Sequence, residues 1–505
     1  MSKKISNINS QKFTLGAVAA LLMLAALDQT IVTTALPAIV TDLGNLNQLS
    51  WVVTAYLLTS TISAPIYGKL GDIFGRKIMM QIAVMIFVFS SMFAALSQTM
   101  LWMLLARALQ GLGGGGLFVL AFTVVGDVVP TRDRGKIQGL FAAVFGLSSI
   151  LGPLAGGFFV DNFSWHWIFI INIPIGICAL TILYYSFSSN HPRSVVKLDY
   201  LGATFLSIAL ASMILVSSKI SNDINYFILS ENFLIVICLV GTILFFVIET
   251  RAPNPILPLT LFRINNFRFY SVIGLLTGSI LFSILTFVPF YLQVSKGISP
   301  TSSGIQIIPL TFGIIFGTTL CGLIMSKTGK YKFLPFLGSI ILCGGLLLLS
   351  NFTSKSSPFE LSALLFLIGL GLGPQLSIAT TAIQNSAPQN QMGVATAGLT
   401  LFRQIGSSVG VASLSTLFVN KIQTKLSNSQ EMLLLLENKK GLNIQTILEL
   451  SEEQKVLFQT AFDDALRFVF IITAYLSLAI LLLSLPIKEI PLKTKIADEE
   501  TELSS

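Results

Sequence analysis

The chain has 505 residues, of which 53% are hydrophobic and only 11% charged, with a formal net charge of +8 and a mean hydropathy of +0.81. Soluble domains carry about 25% charged residues, so this composition excludes an ordinary soluble protein and indicates bundled membrane helices. The net charge does not indicate nucleic-acid binding, because the basic residues occupy short segments between apolar runs, where they act as topology signals.

A transmembrane helix requires about 20 mostly apolar residues. By this criterion the sequence predicts an all-α integral membrane protein. Fourteen transmembrane helices are expected, at 13–40, 50–68, 78–97, 101–126, 138–160, 165–187, 200–218, 233–249, 268–292, 303–326, 334–351, 359–383, 397–419 and 465–486.

The distribution of lysine and arginine predicts the topology. An even number of helices places both termini on one side. If that side is cytoplasmic, the inside segments hold twenty basic residues and the short outside loops only three, Lys219, Lys296 and Lys355. Because cytoplasmic loops carry an excess of basic residues, both termini are predicted to be cytoplasmic, in a multi-pass protein of the inner (plasma) membrane.

Two segments outside the helices are also distinctive. The outer segment 420–464 has apolar residues at helical spacing, so a helical hairpin on the outer mouth and a flexible solvated loop both remain open. Two roles are left open for it by the sequence, a lid over the outer mouth and a docking site for a periplasmic adaptor protein. The short polar tail, 490–505, is predicted to be a disordered cytoplasmic segment.

The chain contains an internal repeat. At an offset of 258, five glycines and prolines of the fourth helix and the loop after it coincide with glycines and prolines around the twelfth, and at an offset of 254 the loop at 68–77 aligns with 322–331. The repeat predicts two parallel six-helix bundles, a transporter architecture with a site at the midplane between the halves. The expected divisions are 1–187 for the N-terminal bundle, 188–250 for two inserted helices (the seventh and eighth), and 251–489 for the C-terminal bundle.

Four motifs indicate a family. They read "LDQTIVTTALP" (27–37), "GKLGDIFGRK" (68–77), "RALQGLGGGG" (107–116) and "GLSSILGPLAGG" (146–157). These motifs resemble the signatures of the major facilitator superfamily, in particular of its fourteen-helix drug:proton antiporter branch. The stretch "SWHWIFIINIPIG" (164–176) is similar to this branch too, but has His166 where an arginine is usual, and no role is assigned to this histidine.

Asp28 is the acid placed deepest in the membrane. It lies about 22 Å along the first predicted helix, at 1.5 Å per residue from Phe13. A charged acid at that depth costs at least about 2.5–3.5 kcal/mol. Burial favours the neutral form, so proton exchange near neutral pH is expected. The hypothesis is that Asp28 binds a proton and a cationic substrate in competition; the alternative is a carboxylate paired permanently with a basic residue.

Arg107, with Gln110 one turn further on, is the expected partner of Asp28. The resemblance links the arginine of this motif to proton transfer. The alternative is an arginine whose side chain extends to the outer interface. Two other arginines, Arg403 and Arg467, are expected to be interfacial.

The loop motif predicts a gate. Gly68, Gly71 and Gly75 allow tight turns and close helix approach. The acid Asp72 is expected to face a helix N-terminus in the other half, where the helix dipole favours negative charge. The basic members of the motif are Arg76 and Lys77. Arg76 is expected to reach Asp127 and to hold an outward-facing state; the alternative is a basic turn with no gating role.

The motif of the fifth helix predicts close helix packing. Its small residues let helices approach in lipid, and its proline bends the helix, so tight packing against a helix of the other half is expected. These residues are Gly146, Gly152, Pro153, Gly156 and Gly157.

The resulting prediction is a proton-coupled multidrug efflux transporter, not an enzyme, which exports lipophilic or cationic compounds by alternating access. No cofactor is expected beyond the proton as coupling ion, and the partners are drugs, protons and membrane lipid. One alternative is a dedicated proton-coupled exporter of an endogenous lipid, siderophore or metabolite. A second is a non-transporting membrane sensor or assembly subunit.

Overall fold

The computed structural model describes residues 2–43, 49–130, 133–186, 199–221, 231–296, 298, 300–352, 356–426 and 452–492. Within these ranges the regular structure is helical. The α-helices are α1 Ser2–Leu43, α2 Leu49–Phe74, α3 Arg76–Ala95, α4 Met100–Val128, α5 Arg134–Asn162, α6 Trp167–Ile170, α7 Asn172–Ser186, α8 Tyr200–Ser221, α9 Glu231–Glu249, α10 Asn265–Lys296, α11 Pro300–Ile305, α12 Ile308–Thr328, α13 Phe333–Ser350, α14 Pro358–Ser386, α15 Met392–Leu426 and α16 Glu452–Ser484.

Each apolar segment predicted from the sequence overlaps a helix, and two of these segments contain a short helix followed by a long one (α6 with α7, and α11 with α12). Among the described residues, eleven helices are long and apolar enough to cross a membrane. The helix α8 adds a shorter apolar stretch, Tyr200–Val216, while α2 and α5 are not among the eleven. The number of fourteen crossings and the cytoplasmic termini therefore stay predictions.

Apart from Ala64, Val119 and Ala397, which pack together across α2, α4 and α15, the buried hydrophobic residues fall into two regions of the chain. The helices α1 to α7 hold two clusters, one around Leu21 and Phe87 and one around Met103 and Phe169. The helices α8 to α16 share one large cluster. The inserted helices α8 and α9 contribute to that second core, through residues such as Leu206 and Phe245, because their inner faces pack against it.

Small residues bring the two regions into close contact at one end of the bundle. A Cβ added to Gly135 of α5 would lie 2.6 Å from Gly322 Cα of α12, and one added to Gly68 of α2 would lie 2.9 Å from Gly393 O of α15. Further along α5, Gly146 packs against Thr311 of α12. In lipid such glycines permit backbones to approach closely, so the two regions are in direct contact at this end.

Two segments outside the spans are described in part. The helices α15 and α16 extend into the predicted outer segment, where Lys425 and Asp464 form a salt bridge; residues 427–451 lie outside the described ones. The tail predicted to be disordered starts with ordered contacts, because Asn385 Nδ2 donates to the carbonyls of Ile490 and Pro491. The predicted disorder therefore does not hold for residues 490–492, and residues 493–505 lie outside the described ones.

Tyr331 anchors the same C-terminal segment. Its hydroxyl donates to Lys488 O and accepts from Ile490 N, and its own N–H donates to Glu489 Oε1 at 2.9 Å. Burial raises the pKa of the Tyr331 side chain, so the hydroxyl stays protonated and remains a donor. The segment after α16 is thus fastened across the loop between α12 and α13.

Candidate functional site

The candidate coupling site is a buried network inside the first helical region. Asp28 of α1 is fully buried, and Arg107 of α4 is 1% exposed. Arg107 Nη1 donates to Asp28 Oδ2 at 2.7 Å, and Gln110 Nε2 donates to Asp28 Oδ1 at 2.8 Å. The structure therefore joins the three residues that the sequence had grouped.

Two further residues complete the network. Asn172 at the start of α7 donates from Nδ2 to Asp28 Oδ1 at 2.9 Å, and Ser91 of α3 accepts from Gln110 Nε2 at 2.7 Å. The sequence analysis missed both. Asn172 was detectable as an amide inside the apolar run of residues 165–187, whereas nothing in the sequence distinguishes Ser91 from other helix serines.

Arg107 has a second set of contacts on α2. Its Nε donates to Val52 O at 3.2 Å, and its guanidinium lies 4.5 Å from the ring centroid of Tyr56. A guanidinium over an aromatic face is attracted by the ring quadrupole. Arg107 thus holds α1, α2 and α4 together, and it is not an interfacial arginine.

The buried contact of Asp28 with Arg107 is the pairing with a basic residue that one of the two sequence hypotheses expects. In this conformation the carboxylate is paired and shielded from solvent, so a substrate cation has no path to it without a rearrangement of the network. Opening a buried ion pair leaves an uncompensated charge, which costs about 3–5 kcal/mol. Neutralisation of Asp28 by a proton removes the charge that holds Arg107.

The latch comprises Asp72, Arg76, Asp127 and the first turn of α15. Asp72 accepts backbone N–H groups of Gly393 and Val394, both at 3.0 Å. Arg76 donates to Asp72 Oδ1 at 3.2 Å and forms a salt bridge with Asp127. The contacts expected for Asp72 and Arg76 are present, and the latch joins the two helical regions at what we call the latch end.

The other members of the loop motif are structural. Gly75 has a φ of 91°, which glycine adopts readily, and forms the turn between α2 and α3. Gly71 leaves room for Leu120, since a Cβ there would approach its Cδ2 to 2.9 Å. Lys77 points away from the latch and donates to Tyr184 O of α7 at 2.8 Å.

Three polar residues that the sequence analysis missed reinforce the latch end. Arg134 of α5 caps α4 by donating to Gly126 O, and its Nη1 contacts Gln384 of α14 at 3.5 Å. Gln384 Nε2 in turn donates to Phe122 O at 3.0 Å, and Gln138 donates to Thr381 at 3.1 Å. These bonds connect α4 and α5 with α14, so they join the two helical regions at the same end as the latch.

The packing motif of α5 is divided between two neighbours. Gly146 faces α12, as expected for contact with the other half, but Gly152 faces Thr30 of α1. Gly156 is buried, whereas a Cβ added to Gly157 would meet nothing within 4 Å. Pro153 lies within α5, whose helix continues through it.

Arg403 differs from expectation. It lies eleven residues into α15, about 16 Å from the first residue at 1.5 Å per residue. Its Nε is buried without a hydrogen-bond partner. Arg403 is therefore deep in the helix and not at the interface; the sequence placed it wrongly because α15 begins earlier than the apolar pattern suggests.

We expect an Asp72→Asn variant to open the latch end more often. The substitution keeps the side-chain size but removes the charge that faces the N-terminus of α15, an interaction worth about 0.3–2 kcal/mol. A change of about 1–2 kcal/mol corresponds to roughly 5- to 30-fold in the populations. Spin-label distances across the latch end measure it, and an unchanged distance distribution would rule out a holding role for Asp72. Lys77→Gln, next to the latch but outside it, is the control.

Comparison with known proteins gives a consistent family assignment. The sequence profile described as Major Facilitator Superfamily matches residues 18–411. An uncharacterised MFS-type transporter of Mycobacterium tuberculosis is 37% identical over 413 residues, 81% of this chain and 59% of the relative. The multidrug transporter protein MdtP of Bacillus subtilis is 35% identical over 390 residues, 77% of this chain and 72% of the relative.

Among solved structures, the human organic anion transporter MFSD10 matches with a TM-score of 0.63 at 14% identity, over 94% of this chain and 99% of that protein. This likeness concerns the fold alone. The matched part of the chain spans only 59% of the length of the mycobacterial relative, so that relative is considerably longer.

Proposed function

Because the chain belongs to the major facilitator superfamily, we propose that it is a proton-coupled multidrug efflux transporter that exports lipophilic or cationic compounds by alternating access. Membership of this family makes the protein a membrane transporter and not an enzyme. Export of drugs is supported by the name of the Bacillus subtilis relative. The coupling ion and the substrates are our inference from the site.

The observation that carries the proposal is the buried ion pair of Asp28 and Arg107. A charged pair without solvent contact is expensive inside a membrane protein and marks proton or ion pathways. When Asp28 takes up a proton, its attraction to Arg107 falls, and the new O–H needs an acceptor. Asn172 Oδ1 is buried beside it without a hydrogen-bond partner and can accept that bond.

The network transmits this change because its members lie on different helices. Asp28, Ser91, Arg107 and Asn172 belong to α1, α3, α4 and α7, so one proton alters contacts among four helices. The helix α4 also carries Asp127, the partner of Arg76 in the latch. Protonation is thus linked to the latch through a continuous helix.

We place the latch end in the cytoplasm, with fourteen crossings and both termini on that side of the plasma membrane. The basic residues Arg76, Arg134 and Lys136 lie at the latch end, in agreement with the excess of positive charge expected inside. Because the latch is closed at this end, we infer that this conformation is the outward-facing one. The proton is the only ion that this mechanism needs.

The test is transport by the purified chain in proteoliposomes with a pH gradient across the membrane. We expect several unrelated lipophilic dyes, cationic and neutral, to be transported in the direction opposite to the flow of protons. An ionophore that dissipates the pH gradient should stop this transport. Transport that ignores the pH gradient would contradict proton coupling. Movement of a single compound only would support a dedicated exporter instead.

A further inference from the structure

The inserted helices α8 and α9 end in a buried acid that the transport mechanism does not use. Glu249, the last residue of α9, is 3% exposed. Its Oε1 accepts the backbone N–H of Leu257, in the segment that follows the helix. Its Oε2 is buried and has no hydrogen-bond partner.

A second carboxylate faces the same point. Asp199 precedes α8, and its Oδ1 accepts the N–H of Gly202 at 2.8 Å. Its Oδ2 is also buried without a hydrogen-bond partner. A Cβ added to Gly202 would collide with Asp199 Oδ2 and lie 3.0 Å from Glu249 Oε2, so the two unpartnered oxygens flank one position beside the glycine.

Two neighbouring carboxylates whose facing oxygens are buried cannot both remain ionised at low cost, because each charge repels the other and the facing oxygens lack the hydrogen bonds that water would supply. Binding of one proton relieves both the repulsion and the lack of hydrogen bonds. It reduces the negative charge of the pair from two to one, and it gives one oxygen a hydrogen to donate to the other. Such a pair titrates as a unit.

The charged group outside the inserted helices that acts on this pair is Lys69 of α2. Lys69 interacts electrostatically with Glu249 and also with Asp72 of the latch. Among the described residues, the other groups acting on Glu249 are Asp199 and the backbone N–H groups of Ile256 and Leu257. Lys69 and Asp72 are three residues apart on α2, so they lie on the same face of that helix, and α2 packs against α8, the helix that follows Asp199.

We propose that Asp199 and Glu249 form a second proton-binding site, built on the inserted helices, that adjusts the latch through Lys69. With the pair deprotonated, Lys69 is drawn towards Glu249 and leaves the oxygens of Asp72 to the N-terminus of α15. With the pair protonated, Lys69 turns to Asp72 and competes with the N–H groups of Gly393 and Val394. Proton binding at this site thus loosens the latch.

Potentiometric titration of the purified protein in detergent tests the site without any substrate, so its result is independent of transport. Between about pH 5 and about pH 9 we expect Glu249→Gln to bind about one proton fewer than the wild type, and the double variant Glu249→Gln with Asp199→Asn to lose no more than Glu249→Gln alone. Glu489→Gln, an exposed acid at the same end that also accepts one backbone N–H, should leave the count unchanged.

An unchanged proton count in Glu249→Gln would overturn the proposal. A further loss of a proton in the double variant would also overturn it, because it would indicate two independent acids. A count that depends on sodium or potassium in the wild type but not in Glu249→Gln would overturn it as well, because a metal cation would then occupy the pair in place of the proton.

The coupling to the latch needs a second readout. Spin labels at Phe74 and Asn390, both exposed at the latch end, report its opening in a background without native cysteines. In an Asp28→Asn, Arg107→Gln background, which removes the response of the coupling site itself to pH, we expect Glu249→Gln at neutral pH to show the distances of the acidified parent, and Lys69→Met to lose the response to pH. A response that persists unchanged in Lys69→Met would overturn the role of the lysine.

Discussion

Replacing Asp28 by asparagine is expected to reduce efflux driven by a pH gradient about tenfold or more, for cationic and neutral compounds alike. The asparagine retains the size and one hydrogen-bond acceptor of Asp28 but cannot alternate between a charged and a neutral form. A change of about 1.4 kcal/mol in the barrier already corresponds to tenfold in rate. Initial rates in proteoliposomes measure the effect. If only cations lost transport, Asp28 would act in recognition and not in coupling.

The same substitution leaves Arg107 buried without its counter-charge, which costs about 3–5 kcal/mol of stability. Poor folding could therefore imitate a loss of coupling. The double variant Asp28→Asn with Arg107→Gln removes both charges and should regain most of the thermal stability but none of the coupled transport. Recovery of transport together with stability would show that the pair is structural only.

A valine at Gly135 is expected to drive the latch end open. The glycine touches Gly322 of α12, and a Cβ there would lie 2.6 Å from the Gly322 Cα atom, which has no side chain to move aside. Overpacking of this kind costs about 1–3 kcal/mol, which shifts two conformational states by roughly 5- to 150-fold. The cost falls on the closed state alone, since opening separates α5 from α12. Spin-label distances between these helices measure the shift.

Gly157→Val on the same helix is the matched control, because nothing lies within 4 Å of a Cβ at that position. It introduces the same β-branched residue into α5 without crowding a neighbour. If both variants opened the latch end equally, the effect would belong to the helix and not to the contact between Gly135 and Gly322. A closed latch end in Gly135→Val would show that α5 and α12 can yield without separating.

The glycines of the latch end also explain the internal repeat. The repeat relates Gly68 to Gly322 and Gly135 to Gly393. In the structure the contacts cross between halves, with Gly68 against Gly393 and Gly135 against Gly322. The repeat therefore maps one contact onto the other, and the two seams between the helical regions are equivalent. The charged latch breaks this symmetry, because Ser326 stands where the first half has Asp72.

Some features were predictable because they depend on local sequence. Apolar length and the intervening basic residues gave the helices, since lipid leaves the backbone no other hydrogen-bond partners. The motif around Asp28 and Arg107 gave the principal residues of the coupling site. The partners Ser91 and Asn172 were not predictable, because a small polar residue within an apolar helix carries no sign of the helix that it will face.

The sequence by itself determined which segments are helical, which half carries the acid Asp28, and which glycines recur at a fixed spacing. The tertiary structure alone decided that Asp28 is sealed against Arg107, that Arg403 lies deep within α15, and that Asp199 and Glu249 meet beside Gly202. Hydrophobic length acts within a single helix, whereas burial of a charge depends on side chains brought together from distant parts of the chain. For this reason the helices were predictable from hydrophobic length, whereas the partners of the buried charged residues were not.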